Sequence, residues 1–160
     1  LVNDPRMMVL DEPTTGLDPQ ARHLVWRKLR LLRERGVTIV LTTHYMDEAE
    51  QLCERLVVMD QGRILDGGRP RGLIAKYAGE NVLQMHLMED EQAMVRSLLA
   101  PALERGGRVE QIEDVLYGYD LTREDADAVE HAVADPYRVD FRRAHLEDVF
   151  LILTGRGLVE

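Results

Sequence analysis

Lysine is nearly absent from this chain: only Lys28 and Lys76 stand among 20 basic residues, and the other 18 are arginines. Cysteine is scarcer still, and with Cys53 alone no intrachain disulfide can form. A reducing compartment fits that usage. No stretch approaches 18 uninterrupted apolar residues, so the sequence offers no helical membrane span of its own. The opening Leu1-Val2-Asn3-Asp4-Pro5 has no initiator Met, no basic leader and no signal-type apolar core, and reads as sequence from the middle of a protein. The apolar fraction of 45% and charged fraction of 31% are those of a soluble globular chain.

The net charge of -9 is unevenly shared. Residues 1–78 hold 12 basic and 11 acidic side chains, whereas residues 79–160 hold 8 and 18. That break near Ala78-Gly79 divides the chain into two expected segments, 1–78 and 79–160. The acidic second segment would repel nucleic acid and anionic lipid.

Met7-Met8-Val9-Leu10 is an apolar run that ends in Asp11-Glu12-Pro13, the pattern of a strand buried on both faces. A helix is expected from about Gln20 to Arg35, with Ala21, Val25, Leu29 and Leu32 on one face and Gly36 at its carboxyl end. Val37 to Leu41 reads as a second buried strand, closed by Thr42-Thr43-His44 and followed by a helix with an acidic first turn (Asp47, Glu48, Glu50). Strand, helix, strand, helix is the order of a parallel α/β sheet. Leu56 to Met59 and Arg63 to Leu65 predict a hairpin ended by Gly67-Gly68, with a short helix over Arg71 to Tyr77.

Past Gly79 the expected order is a strand at Val82 to Leu87, a helix at Glu91 to Leu103, a hairpin of Val109 to Ile112 with Val115 to Tyr119, a helix at Arg123 to Ala134 and a strand at Tyr137 to Phe141. That β-α-β-β-α-β order predicts a small ferredoxin-like α+β unit. An apolar helix over Leu146 to Leu153 follows. Cys53 is expected as a small buried helix residue, Trp26 as core or partner-facing packing, and Tyr117 and Tyr119 as one face of a sheet.

The chemistry gathers at the strand ends. Two carboxylates after an apolar strand are costly to desolvate, and in an open parallel sheet that end is where ligands bind. A hydrated Mg²⁺ would offset one charge at Asp11-Glu12, and an attacking water would use the other as an orienting base. By itself such a pair is as compatible with a solvated turn.

Four apolar residues, Asp11-Glu12-Pro13-Thr14-Thr15 and Gly16-Leu17-Asp18-Pro19 together resemble the Walker B motif and D-loop of ABC ATPases. Thr42-Thr43-His44 resembles their switch-histidine loop, at the spacing that family uses. The resemblance implies Asp11 as the Mg²⁺ ligand through water, Glu12 as the catalytic carboxylate that polarises the attacking water, and His44 as the catalytic contact to the γ-phosphate. It implies Asp18 as the nucleotide-site residue that communicates across a dimer of ATPase domains. Neither Gly-Lys-Ser/Thr nor Leu-Ser-Gly-Gly-Gln occurs, so a nucleotide-holding P-loop is expected upstream and the chain alone is expected to bind ATP poorly and to be inactive.

The expected fold class is therefore α/β: a truncated P-loop NTPase (ABC ATPase) parallel sheet, residues 1–78, followed by a small α+β ferredoxin-like unit, residues 79–160. Asp18-Pro19-Gln20-Ala21-Arg22-His23-Leu24-Val25-Trp26 and the tail Leu146-Glu147-Asp148-Val149-Phe150-Leu151 with Leu153-Thr154-Gly155-Arg156 resemble the nodulation and drug-export branch. That branch implies an ATP-hydrolysing exporter subunit with ATP and Mg²⁺ as cofactors, a separate ABC-2 type membrane permease as partner and a second ATPase subunit in a homodimer. It implies a cytoplasmic place at the inner face of the cell membrane, and no nucleic-acid partner. Two other readings stand beside it: a regulatory or dimerisation module, and a soluble ABC ATPase outside transport.

Overall fold

The computed structural model describes residues 5–155; Leu1–Asp4 at the amino end and Arg156 of the tail motif lie outside the described residues. Strand β1, Met7–Asp11, runs parallel to β2, Thr38–Thr42, with Met7 opposite Thr38 and Asp11 opposite Thr42. Between them lies helix α1, Pro19–Glu34. Its start is set chemically: the Asp18 carboxylate accepts the Ala21 amide at 2.9 Å, and Pro19 occupies a first-turn position where no amide bond is lost. Its end is set by Gly36, which at φ +86° takes the left-handed step past the last turn.

Helix α2, Met46–Leu52, follows β2, and its Leu52 joins Trp26 and Leu29 of α1 in a small core under Leu10, Ile39 and Leu41. The expectation of strands buried on both faces is corrected by this arrangement. Met7, Val9 and Val40 are exposed, because side chains alternate across a strand and α1 with α2 cover only one face of the pair.

An antiparallel hairpin follows, β3 (Leu56–Asp60) with β4 (Arg63–Gly68). The glycines continue β4 instead of ending it. Gly67 pairs with Val57, and a Cβ at Gly67 would sit 2.9 Å from Val57 Cγ1, closer than such atoms pack. Helix α3, Pro70–Tyr77, completes this half.

Residues from Asn81 onward form a four-stranded antiparallel sheet of β5 (Asn81–Met85), β6 (Arg108–Ile112), β7 (Val115–Tyr119) and β8 (Val139–Arg143). Its order, β6-β7-β5-β8, is that of the ferredoxin-like unit. The expected helix over Glu91 to Leu103 is two helices, α4 (Glu89–Leu98) and α5 (Ala100–Glu104). Pro101 cannot donate the amide that a continuous helix would need from it. Helix α6, Arg123–Ala132, opens with a reciprocal Thr122–Asp125 cap. Tyr137 lies in a 3-10 turn before β8, fully exposed, and not in the strand.

Both faces of this sheet are covered. Leu83, Met85 and Leu116 pack on one side with Val95, Leu99 and Val129 of the helices. On the other side Tyr117 and Tyr119 stack with ring centroids 6.4 Å apart, as expected for one face of a sheet. Burial raises the Tyr119 phenol above its ordinary range. Helix α7, Leu146–Thr154, supplies Leu151 to that side and Leu146 and Val149 to a core with Ala49, Val58 and Leu73. The last helix therefore packs back on α2 and α3. Asp148, buried, takes both Arg142 guanidinium nitrogens at 2.7 and 2.9 Å and also the His145 amide.

Candidate functional site

The carboxyl ends of β1 and β2 lie side by side, so the two loops that leave them meet. Asp11, the last residue of β1, accepts a hydrogen bond from the Thr42 hydroxyl. The next amide, Glu12 N–H, bonds both the Thr42 carbonyl (3.0 Å) and the Thr42 hydroxyl oxygen (3.2 Å). Thr42 thereby fixes both acidic residues against the neighbouring strand.

Glu12 adopts φ +43°, a left-handed conformation that costs a non-glycine residue on the order of 1 kcal/mol. Such conformations persist where the surroundings over-determine them, and they cluster at functional sites. The turn after Glu12 is closed by Thr15 N–H to the Glu12 carbonyl at 3.2 Å and by the Thr15 hydroxyl to Glu12 Oε2 at 3.0 Å. The other carboxylate oxygen, Oε1, lies 3.3 Å from His44 Nδ1. Both side chains remain about half exposed, open to a ligand and to water.

The His44 loop is held from α1. Arg22 lies over the Tyr45 ring, 4.2 Å from its centroid, and its guanidinium reaches Asp47 at 3.4 Å. Asp18 stands apart from the Glu12–His44 pair in role: its side chain caps α1.

Hard oxygen donors at the mouth of a parallel strand pair suit Mg²⁺, which takes one or two carboxylates and keeps water or phosphate oxygens for the rest. Among the described residues no three His, Cys, Asp or Glu side chains converge to hold a metal unaided. A metal at Asp11 would draw its remaining ligands from water and substrate, which is the mode Mg²⁺ uses beside phosphates.

A family described as "AAA domain, putative AbiEii toxin, Type IV TA system" matches residues 1–46, the segment that carries these loops. The chain is 47% identical over 158 residues to the Nod factor export ATP-binding protein I of Paraburkholderia xenovorans, covering 99% of this chain and 50% of that one. The proteins of the same name from Burkholderia thailandensis and Mesorhizobium japonicum are 49% and 44% identical, over 99% and 100% of this chain and 50% and 45% of theirs. Along its whole length the chain is similar to ABC ATP-binding subunits.

It spans about half the length of the curated relatives it matches. Two solved structures, an ATP-binding subunit of an ABC transporter and cbiO1 from Clostridium perfringens, part of the cbiONQ complex, share 30% and 28% identity with it. They cover 46% and 64% of this chain and 31% and 36% of theirs, at TM-scores of 0.42 and 0.41.

The structure joins Asp11 to Glu12 through Thr42 and Glu12 to His44, and leaves Asp18 at the foot of α1. The sequence assigned no site role to three further residues. Thr42 bridges Asp11 and Glu12, and Thr14 and Glu48 form a buried pair. Their only signal was position: a hydroxyl at each strand-end loop and an acid one helical turn after His44. Cys53, expected inside a helix, instead ends α2 and is half-buried, with burial raising its thiol above the ordinary range.

Proposed function

We propose that this chain supplies the hydrolytic half of an ATP-hydrolysing subunit that drives an ABC exporter. The observation that carries the reading is the Glu12–His44 contact of 3.3 Å, built at the mouth of a parallel strand pair by a strained Glu12 backbone. Nucleotide with Mg²⁺, once held, supplies the phosphoryl group and neutralises its charge. Asp11 offers a carboxylate oxygen to the metal side of the site, with Thr42 keeping it in place. Glu12 presents Oε1 to the attacking water and accepts its hydrogen bond, which orients the water for in-line attack. His44 sits on the other side of that oxygen, placed to donate to the terminal phosphate.

Asp18, at the start of α1, would report this site to a second copy of the subunit in a homodimer. ATP, Mg²⁺ and an ABC-2 type permease complete the proposed assembly, at the cytoplasmic face of the membrane. No helix among the described residues is long and apolar enough to cross a bilayer. Division into an ATPase part, residues 1–78, and an accessory α+β part, residues 79–160, belongs to the same reading. The charge difference between the two parts supports it.

The test lies in the gene. Its sequence preceding Leu1 is expected to encode Gly-x-x-x-x-Gly-Lys-Ser/Thr and then Leu-Ser-Gly-Gly, with a polytopic membrane protein encoded alongside. A complete gene without either motif contradicts the proposal.

A further inference from the structure

Glu48 is fully buried, yet the chemistry of that burial is incomplete. Its Oε1 accepts two hydrogen bonds, from the Thr14 hydroxyl at 2.9 Å and from the Trp26 indole N–H at 2.9 Å. Its Oε2 is buried without a hydrogen-bond partner among the described residues. A carboxyl group inside a protein is costly unless its oxygens are satisfied, and an apolar side chain would fill the same space without that cost. Packing alone therefore gives no reason for a glutamate at this position.

The three residues that meet belong to three different segments of the site. Thr14, also fully buried, lies in the turn between Glu12 and Asp18, two residues after Glu12. Trp26 is on α1, which Asp18 caps. Glu48 is on α2, four residues after His44. One carboxylate oxygen thus ties together the segments that carry Glu12, Asp18 and His44, the first and last of which meet at 3.3 Å. A hydrogen bond is directional, so this junction fixes a spacing that a greasy contact would leave free to slide.

We propose that Glu48 is a positioning residue for hydrolysis, setting the separation of Glu12 from His44 through Thr14 and Trp26. The proposal rests on the hydrolytic reading of Glu12 and His44. Glu48 touches neither substrate nor the reacting atoms. Its loss should therefore be felt in turnover more than in nucleotide affinity, since displacement of about 1 Å at a catalytic pair can cost up to about 100-fold.

The experiment measures steady-state ATP hydrolysis by the intact gene product, normalised to nucleotide-binding sites, with Glu48→Met, Glu48→Gln, Thr14→Val, Trp26→Phe and Glu12→Gln made side by side. Glu48→Met keeps the bulk and removes the acceptor; kcat is expected to fall roughly tenfold or more, with KM for ATP within about twofold. Glu48→Gln keeps an acceptor oxygen and is expected to restore kcat to within roughly threefold of the parent. Thr14→Val and Trp26→Phe each remove one donor and are expected to fall between. A residue that only stabilises the fold would lower the yield of Glu48→Met while its binding-competent fraction turned over normally.

Parental kcat in Glu48→Met, or no recovery in Glu48→Gln, overturns the proposal. If Glu48→Met does not fold, parental kcat in both Thr14→Val and Trp26→Phe overturns it instead. Glu12→Gln separates the two levels. Inactive Glu12→Gln beside fully active Glu48→Met defeats only the role of Glu48, whereas active Glu12→Gln defeats the hydrolytic reading and this proposal with it.

Discussion

His44 Nδ1 lies 3.3 Å from Glu12 Oε1, although the two residues belong to different loops and are separated by a helix and a strand in sequence. The parallel register of β1 and β2, which sets Asp11 opposite Thr42, makes that meeting a consequence of the sheet. His44→Ala removes the imidazole proposed to contact the phosphate and leaves the Glu12 carboxylate in place. Turnover is expected to fall by roughly 100-fold or more while ATP binding persists, checked by hydrolysis assay and by equilibrium binding of a fluorescent nucleotide.

Thr42→Val tests the bridge between Asp11 and Glu12. The hydroxyl serves both residues, so its loss frees the Asp11 carboxylate and weakens the tie on the strained Glu12 amide. The Mg²⁺ concentration needed for half-maximal ATP hydrolysis is expected to rise, with the fold unchanged by circular dichroism. An unaltered Mg²⁺ dependence would remove Thr42 from the site.

How much of this was legible in the sequence depends on whether the signal was local. Helix α1 could be read because its apolar face repeats at helical spacing and Gly36 is a local stop signal. The ferredoxin-like order could be read because strand alternation and helix period change within a few residues of each other. Exposure of Met7 and Val9 could not, since burial of a strand face depends on what packs there, and β1 looks the same on paper with one face covered or two. Glu48 does lie in the acidic first turn expected of its helix, but its burial was not legible for a related reason. An acid in the first turn of a helix satisfies the helix dipole and gives no hint that Thr14 and Trp26 enclose it. The break between α4 and α5 was overlooked at Pro101, where apolar period outweighed a missing amide.

Asp148 joins the sheet to the last helix, by holding Arg142 with both carboxylate oxygens and capping the His145 amide. Asp148→Ala leaves a half-buried guanidinium without its partner and is expected to destabilise the protein by roughly 3 kcal/mol, read from the urea midpoint. A change below about 0.5 kcal/mol would mean that α7 is held by its apolar face alone.

Acid sensitivity should trace in part to Asp66. Hydrogen bonds from Lys76 (2.7 Å), Tyr77 (2.6 Å) and the Gly67 amide hold its carboxyl well below the usual carboxylate range. A folded-state pKa below the unfolded value means stability that is present above about pH 4 and lost as the pH falls through the lower folded value. Asp66→Asn is expected to flatten the stability curve below about pH 4 relative to the parent, measured by thermal unfolding across pH, and to leave the region above pH 8 parallel to it.

The most direct test of the account is Glu12→Gln in the intact gene product. Gln keeps the shape and one carbonyl oxygen but cannot carry the charge that polarises water. The predicted result is ATP binding at parental affinity with hydrolysis reduced by roughly 100-fold or more. Hydrolysis at the parental rate in that variant would contradict the assignment of Glu12, and with it the reading of the site.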